Sequence, residues 1–133
     1  MIERIEFDGI QYAIIIRSDF REPGIHFFTP DEFSQQLAYM CRPQGYQIQP
    51  HFHRVTPREI SLTQEVLLVK SGSLKVDFYD KSQAKVGSSI LNSGDVILLS
   101  DGGHGFEMLE ECEIIEVKQG PYSGDQDKVR FSP

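Results

Sequence analysis

Four histidines occur in the 133 residues of this chain, and two of them stand as His51-Phe52-His53. Along an extended strand, residues two apart point to the same side, so this spacing converges two imidazoles. Neutral imidazole is a good donor to divalent transition ions, which makes the pair half of a candidate metal site. Glu65 offers a carboxylate from a neighbouring strand, and His104 a third imidazole from the corner after Gly102-Gly103. By itself His-x-His also describes two unrelated surface residues, so the wider spacing carries the weight. Five residues separate Gly45 from His51, six separate Glu65 from Gly72, and five separate Gly94 from Ser100-Asp101-Gly102.

Such a donor set has to be carried by short strands whose ends meet, and the rest of the chain has that character. No helical period persists for a helix length. The one helix-start signal is Thr29-Pro30-Asp31-Glu32, a capping residue followed by proline and acids, which predicts a turn or two at most. Elsewhere short apolar alternations are broken by turn residues, which predicts an all-β sandwich or barrel. Strands are expected over 4–7, 12–16, 26–28, 35–41, 65–69, 74–79, 96–99, 104–108 and 113–118.

Two hairpins are expected, 65–69 with 74–79 and 104–108 with 113–118. In the first, period two puts Glu65 in phase with Leu67 and Val69, facing a return strand whose Leu74, Val76 and Phe78 share a face. A carboxylate there is costly unless a cation meets it, and a metal ion would be that cation. In the second, Phe106 should neighbour Ile115, and His104 should neighbour Val117. Glu116 and Lys118 then form an outward salt-bridging face, and Gln119 lies nearest the mouth. Asn92-Ser93-Gly94-Asp95 is a turn signal and Asp101-Gly102-Gly103 a tight corner. Gln47 and Gln49 share the phase of the histidine pair, so they either line the mouth or Pro50 introduces a bulge.

The length fits one domain, 1–133, with one core. Thirteen basic residues against 20 acidic ones give a net charge of -7, which argues against a nucleic-acid partner or an anionic membrane surface. Charges are scattered where a signal peptide needs an apolar run, and the apolar run 13–16 is far short of a membrane span. Cys41 and Cys112 are too few for a disulfide framework and read as small hydrophobes in a reducing compartment, so a cytoplasmic protein is expected. The polar tail, 121–133, is either loose or wrapped on the fold.

With these residues in view, the chain resembles the cupin superfamily, in particular its small stand-alone bacterial members. The first cupin motif has a glycine, five residues, His-x-His, a gap to Glu, and six residues to a second glycine; Gly45, His51, His53, Glu65 and Gly72 match it. The gap from Arg54 to Gln64 is eleven residues where three or four are common, which implies an inserted loop. Gly94, Gly102 and His104 fit the second motif with defects: Ser100 replaces a proline, one residue is missing before His104, and Met108 stands where asparagine is expected. The resemblance covers roughly 35–118, with N-terminal strands in 1–34. It implies a double-stranded β-helix jelly roll with the four ligands inside its mouth. It also implies one divalent transition metal (Zn, Mn, Fe or Ni) and, on resemblance alone, a homodimer.

An ion held by three imidazoles and a carboxylate can polarise a carbonyl or enediolate oxygen. The leading expectation is therefore an isomerase or epimerase acting on a small sugar or sugar-derived acid. An iron-dependent dioxygenase and a non-catalytic small-ligand-binding cupin are the alternatives. Arg54 and Arg58, on the inserted loop, suit a substrate phosphate or carboxylate, though the same loop also reads as solvated surface. Tyr46 is the candidate proton-moving residue and Gln119 a candidate substrate contact. His26, beside aromatics, reads as a packed or edge-strand residue rather than a ligand.

Overall fold

The computed structural model describes all 133 residues. Ten strands follow in chain order: β1 (Ile2–Phe7), β2 (Ile10–Ile16), β3 (Gly24–Phe27), β4 (Ala38–Cys41), β5 (Glu65–Ser71), β6 (Ser73–Tyr79), β7 (Lys85–Asn92), β8 (Val96–Leu99), β9 (Gly103–Met108) and β10 (Glu113–Lys118). The one helical element is a single 3-10 turn, Gly124–Asp127. The fold is all-β, as the alternation predicts. The helix-start signal at Thr29 yields one hydrogen-bonded turn, from the Phe33 N–H to the Pro30 carbonyl, and no helix. Thr29 Oγ1 accepts the Leu37 N–H and donates to Gln36, which closes a compact loop. No helix is long and apolar enough to cross a membrane.

The strands form a five-stranded sheet ordered β1-β2-β8-β5-β10, a three-stranded sheet ordered β7-β6-β9, and the separate pair β3-β4. The two larger sheets pack face to face. Their shared core joins Ala13, Ile15, Leu67, Val69, Ile97 and Leu99 from one sheet to Leu74, Val76, Phe78 and Leu91 from the other. The opposite face of the large sheet is apolar too, because Ile14, Ile16 and Leu98 are covered by Leu37, Phe20, Phe28 and Phe33. Burial on both faces explains the unbroken run Tyr12–Ile16, which is buried throughout.

Both expected hairpins are corrected by the register. β5 pairs with β8 and β10, whereas β6 pairs with β7 and β9, so the strands 65–69 and 74–79 face each other across the core. The reason lies at Gly72, whose φ is +87° and where a Cβ would overlap the Glu111 carbonyl and Cys112. The chain arches there from one sheet to the other instead of turning within one. β9 and β10 are likewise unpaired with each other. β7 was absent from the expected strands because Gly87-Ser88-Ser89 interrupts its apolar pattern. Gly87 is small because the Phe7 ring lies against it.

Candidate functional site

Glu65 opens β5 in the phase of Leu67 and Val69, 5% and 0% exposed, so the carboxylate does enter the apolar side. What meets it there is His104. The Gly102 backbone, φ +71°, turns the chain tightly against the Tyr12 ring and the Tyr79 carbonyl. That turn sets β9 in register with β6, His104 opposite Phe78. Across the sandwich His104 Nε2 then lies 2.8 Å from Glu65 Oε1. Hydrogen bonding from this imidazole is the main reason the Glu65 carboxyl is held down to a pKa of about 2, with Glu116 and Lys118 helping against the opposing effect of burial.

β10 supplies the next two groups. Lys118 pairs with Glu65 and Glu116 with Leu67, and directly opposed residues project to one face. Glu116 and Lys118 therefore lie on the Glu65 side, and the outward face expected for them belongs to Ile115 and Val117, 50% and 56% exposed. Sequence favoured the apolar phase; a register shift between Glu113 and Ile114 selects the other one, in which Ile114 meets the core. Lys118 Nζ is 3.5 Å from Glu116 Oε1. Glu116 shares a hydrogen bond with Glu65, and this, with burial and the neighbouring negative charge, raises its pKa. Two carboxylates with pKa values driven apart are a donor and acceptor of protons in waiting.

The His51-Phe52-His53 segment is not a strand: no β-structure occurs between Cys41 and Glu65. A strand needs a backbone partner, and the chain from Gln47 to Thr63 makes no backbone hydrogen bond. The alternatives posed for Gln47, Gln49 and Pro50 lapse with it. The two rings still face one another, 5.1 Å between centroids, and His51 Nδ1 lies 2.8 Å from the Gln49 carbonyl oxygen. The four candidate ligands thus stand as two pairs, Glu65 with His104 and His51 with His53. No three His, Cys, Asp or Glu side chains gather closely enough to hold an ion.

Imidazole and carboxylate are donor types that divalent transition ions accept, and one of the two pairs, Glu65 with His104, is close enough to share an ion as well as a hydrogen bond. With metal–ligand bonds of about 2.1 Å, two donors at right angles lie about 3.0 Å apart, close to the Glu65–His104 separation. Tyr46, Arg54 and Arg58 all fall in the exposed segment, Tyr46 half exposed with the Arg42 guanidinium 4.5 Å above its ring. No hydrogen bond or ion pair joins these three to Glu65 or His104. His26 packs edge-on against Phe20, as expected of an edge-strand residue.

Gln119 does lie beside the site. Its N–H donates to the Gln64 carbonyl, its side chain accepts from Ser34, and it lines a cleft of about 220 Å³ with Lys118, Thr63 and Tyr122. The far wall of this cleft is the tail, which wraps rather than hangs loose. Thr63 donates to Asp127, and Phe131 packs edge-on against Tyr79. Lys118 belongs to both the cleft and the carboxylate pair, which links the two. Composition gave no sign of the cleft, because it is built from turn residues far apart in sequence.

Comparison with family models, with curated proteins and with solved structures returned no match.

Proposed function

We propose that this chain is a cupin that binds one divalent transition metal through Glu65, His104, His51 and His53. We further propose that it acts as an isomerase or epimerase on a small oxygen-rich molecule, a sugar or sugar-derived acid. The observation that carries this reading is the His104–Glu65 contact at 2.8 Å beside the Glu116–Lys118 pair. Support for a jelly roll comes from the way the chain alternates between sheets: β5 and β8 lie in the larger, β6, β7 and β9 in the smaller, and β10 in the larger again.

A bound ion would polarise a carbonyl or enediolate oxygen and so ease removal of the adjacent proton. The remaining work falls to the chain's own side chains. Glu116 is 47% exposed beside Glu65 and Lys118, which puts a carboxyl oxygen within reach of a substrate proton. Lys118 fixes that carboxylate and lends positive charge toward an anionic substrate group. Gln119 and Thr63 line the cleft with polar groups suited to hydroxyls. The guanidinium groups of Arg54 and Arg58 are of the kind that bind a phosphate or carboxylate.

Proton exchange tests this reading directly. Metal-loaded protein in deuterated water, incubated with a panel of aldoses, ketoses and uronic acids, should place deuterium on the carbon beside a carbonyl of at least one of them. Glu116→Gln should slow that exchange by about 100-fold, the usual contribution of a general acid or base. A metal-loaded protein that exchanges no proton in any of the panel would remove the enzymatic reading.

A further inference from the structure

We propose that the segment 42–63 is an arm exchanged between two copies of this chain, so that the partner's His51 and the partner's His53 complete the site begun by Glu65 and His104. The second half of this proposal rests on the metal-site reading; the exchange itself does not.

Between its fixed ends the arm is not packed on its own subunit. Every residue from Arg42 to Thr63 is exposed, and Phe52 and Val55 are fully so, at 101% each. A stretch of this length without secondary structure is uncommon in a compact domain. Its side-chain hydrogen bonds stay local, His51 to Gln49 and Thr56 to Arg54, until Thr63 reaches Asp127 at the root. Both ends are fixed, one at β4 and the other along the tail cleft from Ile60. The histidine pair stands near the middle of the excursion, where about ten extended residues can carry it about 30 Å from its root.

The sandwich lacks a strand where the arm would bind. On one side a side chain bridges the two sheets, since Phe7 of the edge strand β1 packs on Gly87 of the edge strand β7. On the other side β9 and β10 are both outer strands with a free edge. Phe106 and Met108 are opposed to Val76 and Leu74, which are fully buried. They point toward the same interior yet remain 39% and 50% exposed. An open edge beside inward-facing apolar residues is a template for an added strand. This opening lies where Glu65 and His104 meet.

Charge is complementary as well. From 42 to 60 the arm carries Arg42, Arg54 and Arg58 against the single acid Glu59. Across 103–118 the receiving strands and their connection carry five glutamates against Lys118. If the arm pairs as a strand, His51 and His53 fall on one face and Phe52 on the other, so one docking event brings both imidazoles in together. Reciprocal exchange gives a closed two-fold dimer in which each site draws on both chains.

Mixing variants tests the exchange. One carries His51→Ala and His53→Ala, the other His104→Ala; each alone should bind cobalt(II) at least tenfold more weakly than the wild type. Unfolded together and refolded, half of the dimers are mixed and each has one intact site, so about a quarter of the wild-type cobalt binding should return. If His104→Ala lowers the far-ultraviolet dichroism, His104→Gln takes its place. Light scattering supplies a readout free of metal. Wild type should run at twice 15.2 kDa, and Phe52→Asp with Val55→Asp should run as a folded monomer.

A wild-type monomer that binds cobalt fully would mean the arm closes on its own chain, which overturns the exchange and leaves the metal site standing. A cobalt-binding dimer with no recovery on mixing overturns it too. A dimer that binds no cobalt but dissociates on Phe52→Asp with Val55→Asp upholds the exchange and removes the metal reading. A dimer unmoved by those substitutions overturns the exchange.

Discussion

Replacing His104 with alanine isolates what the imidazole contributes to the fold with no ion bound. The Glu65 side chain is 12% exposed and titrates near 2 in place of its usual 4.5, His104 being the main cause. A difference of that size between folded and unfolded chains stabilises the native state by about 3 kcal/mol at neutral pH. Lys118 and Glu116 retain part of the effect once the ring is gone. His104→Ala is therefore expected to cost about 2 kcal/mol at pH 7. The folded pKa lies below the unfolded one, so the stabilisation is complete above pH 4.5 and is lost as pH falls toward 2. Urea denaturation of wild type and variant in excess chelator, at steps from pH 7 to about 2.5, reads both quantities. The gap between them should shrink to less than half across that range. An equal gap at both ends, or none at pH 7, would show that the ring does not hold the carboxylate.

Two further substitutions probe the elements that position the site. Gly102→Ala forces a Cβ onto the Tyr12 ring and the Tyr79 carbonyl at a φ of +71°, and should cost about 2 kcal/mol or more and weaken metal binding, since His104 follows two residues on; unchanged urea midpoint and cobalt titration would contradict this. Asp95, 2% exposed, accepts from the Ser18 and Asn92 backbone and from Arg17, so Asp95→Ala should cost about 3–5 kcal/mol by leaving those donors unpaired. A loss under about 1 kcal/mol in the same denaturation assay would contradict that reading.

Local pattern made most strands legible, because alternation over four to seven residues survives wherever one face meets the core. The strands Val96–Leu99 and Glu113–Lys118 coincide with their expected bounds, and Glu65 lies in the apolar phase that marked it as unusual. Pairing was not legible. Adjacent strands are normally read as hairpins, and only the crowding around Gly72 and the Glu111–Cys112 backbone shows that the chain crosses between sheets. A different misreading put Glu116 and Lys118 on the wrong side: Ile115 and Val117 looked like the core phase, whereas Ile114 meets the core. The motif at His51 and His53 fixed residue types but not conformation, since a strand also needs a backbone partner, and the chain from Gln47 to Thr63 pairs with none.

The metal content of untagged protein, purified without chelator, tests the central claim most directly. About one divalent transition ion per chain is expected, with His51→Ala and His104→Ala each reducing it to a trace. Protein that carries no such ion, or a His51→Ala variant that keeps its full complement, would contradict the assignment of these four residues to one site.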